Sequence, residues 1–459
     1  MEKSKSLLQP QPLRGVRVLE LARILAGPWL GQVLADLGAD VVKVESTGGD
    51  DTRTWGPPFV GADAKTAAYF HSCNRGKKSL TADFGNETDL AMVKKLAGRA
   101  DVVIENFKVG GLKKFGLDYH SLNNANPRLV YCSITGFGQT GPYAARAGYD
   151  YIIQGMSGFM DITGPADGQP QKIGVALADI ITALYGAIGV LTALYQREQT
   201  GRGQWVDMAL FDSMVGVLAN QASNYFASGR APTRLGNVHP NIAPYQVFYC
   251  RGDKQAGTTT GNNMAHEKPF VLACGNDGQF QKLMIFLGQA AVAHDARFIT
   301  NAARVKNRKA LVAILEKLFA PFARDELLAG LEKIGVPAGP INTIAEAMAD
   351  PQIIARQMVM NLPLMGVGSV DGKMGDNMGS GVVGGATGDA GHDHDHGHGH
   401  AGGAGGNMGN GNGNGDGAVG VMMQYLRTPI VFNGAAVGAP TAAPDHPADP
   451  AIILQSWGL

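Results

Sequence analysis

Residues 174–195 read GVALADIITALYGAIGVLTALY, an apolar helix-forming run with one carboxylate, Asp179, near its head. An ionised group in such surroundings loses hydration, so it must cap the helix, pair with a cation, or be held for chemistry. On its own, an Asp at a helix start most often caps. Three other stretches carry amides and cations suited to an anion: CNRGKKS around residues 74–79, ENFKVGGLKKFG over 105–116, and RAGYD over 146–150. Each lies at or just past the end of an expected strand, or in the turn leading into the next, the edge that forms the ligand crevice of open α/β sheets. Together they make a candidate site for a phosphorylated ligand. Singly, each Lys or Arg is a solvated surface charge.

The first turn narrows the chemistry further. It reads ARILAGPWLG, not G-x-G-x-x-G, so the close backbone approach that a dinucleotide pyrophosphate needs is not provided, although Glu45 ends the second expected strand where a ribose-binding acid would sit. Nicotinamide redox chemistry is disfavoured. Gly27 and Pro28 open a helix whose free amides can meet an anion or an acyl group, although the same residues also suit an ordinary strand-to-helix turn. Five alternating histidines, His392, His394, His396, His398 and His400, can wrap a zinc or nickel ion, but structural metal sites use fixed, mixed ligand spacings. They read as part of a low-complexity segment, and no metal ligand is assigned.

These residues need elements to place them. VRVLEL, GPWLGQVLADLGA and DVVKVE read as strand, helix and strand, and the pattern returns with SLTADF, NETDLAMVKKLAGRA and DVVIENF, then RLVYCSITGF. This alternation predicts an α/β fold with a Rossmann-like parallel sheet in a large domain. The Asp179 helix follows, ends at REQTGRGQ with basic residues and glycine, and leads to the strand WVDMAL. Beyond Pro244, YQVFYC and PFVLACG read as strands and QFQKLMIFLG and RKALVAILEKLFA as helices of a smaller α/β domain. The expected boundaries are a lead-in over 1–15, the large domain over 16–228, and the smaller one over 229–355 with an inserted loop at 251–268. Residues 366–420 carry glycine at 22 of 55 positions without apolar periodicity, so they are expected to be a disordered insert, with 421–459 returning to the large domain.

Bulk properties set the class. With 459 residues, 39 basic against 39 acidic side chains and 45% hydrophobic content, the chain suits a globular protein with no nucleic-acid or anionic-membrane partner. Cys73, Cys132, Cys250 and Cys274 are scattered, which fits reduced thiols. The N-terminus lacks a signal core and no window reads as an uninterrupted membrane span, so a cytoplasmic or mitochondrial-matrix location is expected.

Read in order, LADLGADVVKVE, DDTRTWGPPF, CNRGKKSL, DVVIENF, YCSITGFGQTGP, AGYD, GVALAD, TGRGQWVDMAL, GNVHPNIAPYQVF and GNDGQF resemble the class III CoA-transferases over about three quarters of the chain. DDTRTWGPPF and AGYD with SGFMDITGP look most like the enzymes that transfer CoA between succinate and glutarate or hydroxymethylglutarate. The resemblance implies an interlocked homodimer that takes coenzyme A thioesters and a small carboxylic acid as substrates, with no permanently bound cofactor. It implies that Asp179 is the nucleophile. A carboxylate attacking a thioester gives an anhydride reactive enough for the released thiolate to attack in turn, whereas a serine or cysteine acyl-enzyme has no route to carry CoA. Water must be kept out, because anhydrides hydrolyse.

By the same matching, Leu25, Ala26, Ala82, Asp83, Asn106, Phe107, Lys114 and Arg146 fall at or beside CoA-contacting positions. Tyr149, Asp150, Gly236, Asn237 and His239 border the acyl site, and Arg53 is a candidate partner for the acceptor's carboxylate. The chain departs from the family pattern at Val109-Gly110, where Pro-Gly is common, and at Lys114 and Ser46, where arginines occur. Lys114 keeps the charge but loses the bidentate phosphate geometry of an arginine. An α-methylacyl-CoA racemase of the same fold would need a histidine where Tyr149 stands, and a tyrosine near its ordinary pKa is a poor proton shuttle at neutral pH. A His-rich metal-binding protein on an inactive scaffold is the non-enzymatic alternative.

Overall fold

A computed structural model describes residues 10–61, 64–251, 267–364 and 422–459. The inserted loop and the Gly/His-rich segment with its five histidines therefore lie outside the described residues, apart from the loop's edges.

Six short runs form the main sheet: β1 (Arg17–Glu20), β2 (Asp40–Glu45), β3 (Lys77–Thr81), β4 (Val102–Glu105), β5 (Val130–Thr135) and β6 (Trp205–Ala209). All neighbours are parallel, in the order β3-β2-β1-β4-β5-β6. Connections leave β1 toward one edge and β4 toward the other, so a crevice opens where they diverge, at the strands' carboxyl ends. Near-continuous apolar strands such as VVIE bury both faces, as the parallel arrangement requires.

One face is covered by α1 (Ala26–Asp36) and α5 (Leu177–Thr200), around Leu30, Leu34, Ala183, Ala187 and Val190. The other is covered by α2 (Glu87–Arg99), α3 (Tyr119–Ala125) and the C-terminal α11 (Pro450–Ser456), around Val93, Leu96, Leu122 and Ile453. Asn86 starts α2 by accepting the Thr88 and Asp89 amides at 2.9 and 3.2 Å, with Glu87 and Asp89 in the positive first turn. Among the described residues α5 alone has the length and apolar composition of a membrane span, contrary to the sequence reading. Its buried stripe, Ala183, Gly186, Ala187 and Val190, packs on α1 and the sheet as that of a core helix does.

Short helices α4 (Asp150–Met156), α6 (Leu210–Gly216) and α7 (Ala219–Ser228) complete this region. Beyond them, β7 (Tyr245–Arg251), β8 (Glu267–Ala273) and β9 (Ala338–Pro340) form an antiparallel sheet. It packs on α8 (Asp277–Phe286), α9 (Arg308–Phe319) and α10 (Arg324–Lys333) through Phe248, Phe270, Phe280 and Phe319. The smaller unit thus mixes helix and strand as expected, with an antiparallel sheet.

A last pair, β10 (Val359–Pro363) with β11 (Met422–Leu426), leads the chain back to the main sheet. The return is dense with hydrogen bonds. The Gly76 amide donates to the Thr441 carbonyl at 3.0 Å, the Ala448 amide to Ser79 at 2.7 Å, and the buried Trp457 indole to Asp40 at 3.0 Å.

Candidate active site

Asp179 is the third residue of α5. It does not cap its helix. The Ala178 amide, which a capping side chain would take, instead donates to Asp150 Oδ1 at 2.7 Å. Asp150 comes from the first turn of α4, 28 residues upstream, and is delivered there by a backbone crossing in which Gly148 and Gly136 touch. A Cβ on Gly148 would lie 2.4 Å from the Gly136 Cα, so no larger residue fits. Gln154 donates to Asp150 Oδ2 at 2.8 Å and accepts the Ile173 amide at 2.9 Å, which ties the entry of α5 to α4.

The helix start is therefore satisfied by a neighbour, and the Asp179 carboxylate accepts no hydrogen bond among the described residues. Burial, reinforced by the Asp150 charge, pushes its pKa up to about 7. Such a carboxylate is poorly solvated and more nucleophilic than an exposed one once ionised. Near it lies Tyr69, whose phenol burial and the Asp179 charge push up to about 12, packed edge-on against Trp55 with ring centres 5.3 Å apart. Tyr69 is not marked by the sequence, because nothing in its local pattern brings it to a helix more than a hundred residues away. Trp55, within the quoted DDTRTWGPPF, was the available signal.

At the carboxyl ends of β1 to β4 lies a groove of about 390 Å³ whose lining includes Arg23, Ser46, Ala82, Asp83 and Phe107. Phe84 stacks on Phe107 with centres 6.2 Å apart and meets Phe115 edge-on at 5.5 Å. These rings offer a flat apolar wall of the kind a purine base takes. Lys114 lies exposed at the rim, its ammonium 4.7 Å from the Phe115 ring centre. Arg146 is exposed and stacks over Tyr143 at 4.4 Å, and Tyr149 is exposed at the residue before α4. Leu25 and Ala26 are buried where α1 begins, after the β1 turn that lines the groove.

Other expectations change. Arg53 is spent inside the protein: its Nε and Nη2 donate to Glu45 at 2.7 Å each, and Nη1 and Nη2 donate to the carbonyls of Asp445 and Pro444 at 3.0 Å. Its guanidinium also lies over Phe70 at 3.7 Å, so it clamps the returning C-terminal segment and is not placed to meet a substrate carboxylate. Glu45 is held by that clamp and by Ser79, not free for a ribose. In CNRGKKS, Arg75 pairs with buried Asp36 and Lys77 with buried Glu20, because the loop leads into the amino end of β3, the end opposite the groove; neither cation serves an external anion. Asn106 turns its amide onto Arg23, accepting the amide at 3.0 Å and donating to the carbonyl at 2.8 Å, so it shapes the turn. Gly236 and Asn237 are exposed, with the Gly236 amide donating to Gly164 at 3.1 Å. His239 accepts the Asn241 amide at 3.1 Å, and burial, with Arg308, lowers its pKa. No described hydrogen bond or ion pair links these three to Asp179. No cluster of metal-ligating side chains occurs among the described residues.

A six-stranded parallel sheet with a groove at its switch point, beside a carboxylate left unbonded at a helix start, is the architecture of an α/β protein with a ligand crevice at the carboxyl ends of its strands. Residues 13–372 match the family model of CoA-transferase family III. The chain is 54% identical over 355 residues to the succinate–glutarate CoA-transferase of Agrobacterium fabrum, covering 76% of this chain and 85% of that one. It is 40% identical over 365 residues to the mouse succinyl-CoA:glutarate CoA-transferase, covering 79% and 80%. A crystal structure of a CAIB/BAIF family protein from Brucella suis superposes with a TM-score of 0.74 at 50% identity, covering 98% of this chain and all of that one. The chain belongs to CoA-transferase family III and is a CoA-transferase, with CoA thioesters as substrates.

Proposed function

We propose that the enzyme moves CoA from succinyl-CoA to a dicarboxylic acid through covalent intermediates on Asp179. The observation that carries this reading is the Asp179 carboxylate itself, half-buried, unbonded, and relieved of capping by Asp150. An Asp179 oxygen attacks the thioester carbon and CoA leaves as thiolate, giving a succinyl-aspartyl anhydride. The thiolate then attacks the aspartyl carbonyl and expels succinate, leaving CoA on Asp179 as a thioester. The acceptor carboxylate repeats the first step in reverse order: it displaces CoA to form an acceptor-aspartyl anhydride, whose acceptor carbonyl the thiolate attacks to regenerate Asp179. No proton is consumed, and each bond broken matches one formed, so little energy is lost. Similarity to transferases named for succinate with glutarate supports the substrate class.

In this reading Leu25, Ala26, Ala82, Asp83, Phe107, Lys114 and Arg146 contact CoA, with the base against Phe84 and Phe107. Tyr149 and Asp150 border the acyl group. The protein is also proposed to work as a homodimer. Ile188 and Tyr195 on α5, Tyr151 on α4 and Phe226 on α7 are 60%, 71%, 60% and 80% exposed, large apolar side chains that a partner subunit would cover. Mass spectrometry after incubation with succinyl-CoA, with hydroxylamine as trap, should find modification at Asp179. Exchange that survives Asp179→Ala would overturn the mechanism.

A further inference from the structure

The turn from β1 into α1 carries a backbone conformation that its sequence disfavours. Ile24 has φ of +71°, a left-handed value that β-branched residues seldom adopt because the branched side chain meets the carbonyl. Something must hold it there. Its amide donates to both oxygens of Asp50, at 3.3 and 3.2 Å. Asp50 in turn accepts the Thr52 amide at 3.0 Å and the Thr52 hydroxyl at 2.7 Å, and pairs with the buried Lys43 ammonium at 2.9 Å.

Lys43 also donates to the Ala22 carbonyl at 2.8 Å and to Glu20 at 3.1 Å. Asn106 takes both backbone groups of Arg23. The turn is thus held from β2, from the segment after β2, and from the segment after β4, and none of those side chains is close to it in sequence. Burial works against the Asp50 charge, but Lys43 and the Thr52 donors hold its carboxyl below the usual range, so it stays ionised. Leu25 follows as the residue before α1 and Ala26 as its first, and the Leu25 amide has no partner among the described residues.

We propose that Asp50 is a positioning residue for CoA transfer: paired with Lys43, it holds Ile24 in the left-handed conformation and thereby sets the Leu25–Ala26 backbone against the bound thioester. This rests on the reading that Leu25 and Ala26 contact CoA. Asp50 borders the groove but is only 3% exposed. Its carboxylate is occupied by protein donors, and its effect passes through the turn.

The test is a cycle of Asp50→Asn and Ile24→Gly, read by CoA affinity in calorimetry, by the steady-state constants for succinyl-CoA, and by the melting temperature. Asn loses the charge that faces Lys43 and half of the acceptor capacity, so KM for succinyl-CoA should rise about tenfold, with a smaller change in the KM of the acceptor. Glycine enters the left-handed region without penalty, so Ile24→Gly added to Asp50→Asn should bring KM back to within about threefold of Ile24→Gly alone. A purely structural role predicts additive losses. Additivity in folded variants would overturn the proposal. Should Asp50→Asn fail to fold, Thr52→Val removes one donor aiming the carboxylate, and a KM rise reversed by Ile24→Gly is again expected; no rise refutes the idea. Wild-type protein that binds CoA without exchanging it would sink the proposed function. The effect of Asp50 on CoA affinity would then still be measured by calorimetry.

Discussion

Replacing Asp179 by asparagine should stabilise the protein while it destroys exchange. The side chain keeps its shape and loses only its charge. A carboxyl that titrates near 3.8 in the unfolded chain and near 7 in the fold binds its proton more tightly when folded. Below pH 3.8 both states are protonated and nothing is lost. Between 3.8 and 7 the unfolded chain has already released the proton that the fold retains, so stability falls as pH rises, and above 7 the whole penalty is present. At about 1.36 kcal/mol per pH unit across roughly three units, the penalty approaches ~4 kcal/mol. Because one edge of the site meets solvent, screening lowers it to roughly 2–4 kcal/mol. Urea unfolding of wild type and Asp179→Asn at equal protein concentration, at pH 5 and pH 8, measures the difference. The variant should be more stable at both, with a gain at pH 8 roughly two and a half times that at pH 5. A variant no more stable at pH 8, or a gain that ignores pH, would show that the carboxylate is not strained by its surroundings.

Four other outcomes follow from the same geometry. The succinyl-CoA half-reaction should quicken as pH rises through about 7, where Asp179 ionises, and Asp150→Asn should move that limb to lower pH by removing the like charge while its amide oxygen still caps Ala178; stopped-flow profiles measure both. Arg53→Met should cost about 3–5 kcal/mol in denaturant unfolding, by leaving Glu45 charged and unpaired, with the acceptor KM within about twofold of wild type under conditions where it stays folded. Ile188→Glu should shift light scattering from dimer to monomer. Pro363 and Met422 are cross-strand partners, so replacing residues 365–421 by a short turn should leave melting and exchange intact; loss of exchange in a folded variant, restored in the intact chain by zinc, would instead give the histidines a role.

Much of the frame is legible locally. Apolar runs of four to six residues alternating with 3.6-period helices dictate a parallel sheet, and the glycine and basic residues closing α5 mark its end. The placement of Ala82, Asp83 and Phe107 on one groove also follows from the sequence, since each stands just past a strand, and strand ends share an edge. The antiparallel sheet of the smaller unit was less readable, because strands such as YQVFYC carry no local sign of the direction of their partner.

What the sequence determined by itself is the order of elements and the presence of one acid at the head of an apolar helix. What only the tertiary structure decided is which polar groups are free. Arg53, Arg75 and Lys77 look available on paper and are consumed by Glu45, Asp36 and Glu20. Asp179 looks like a cap and is released by Asp150. The partners stand eight to fifty-seven residues apart along the chain, and a hydrogen bond depends on separation in space at about 3 Å, which residue spacing does not encode once the chain has crossed between elements.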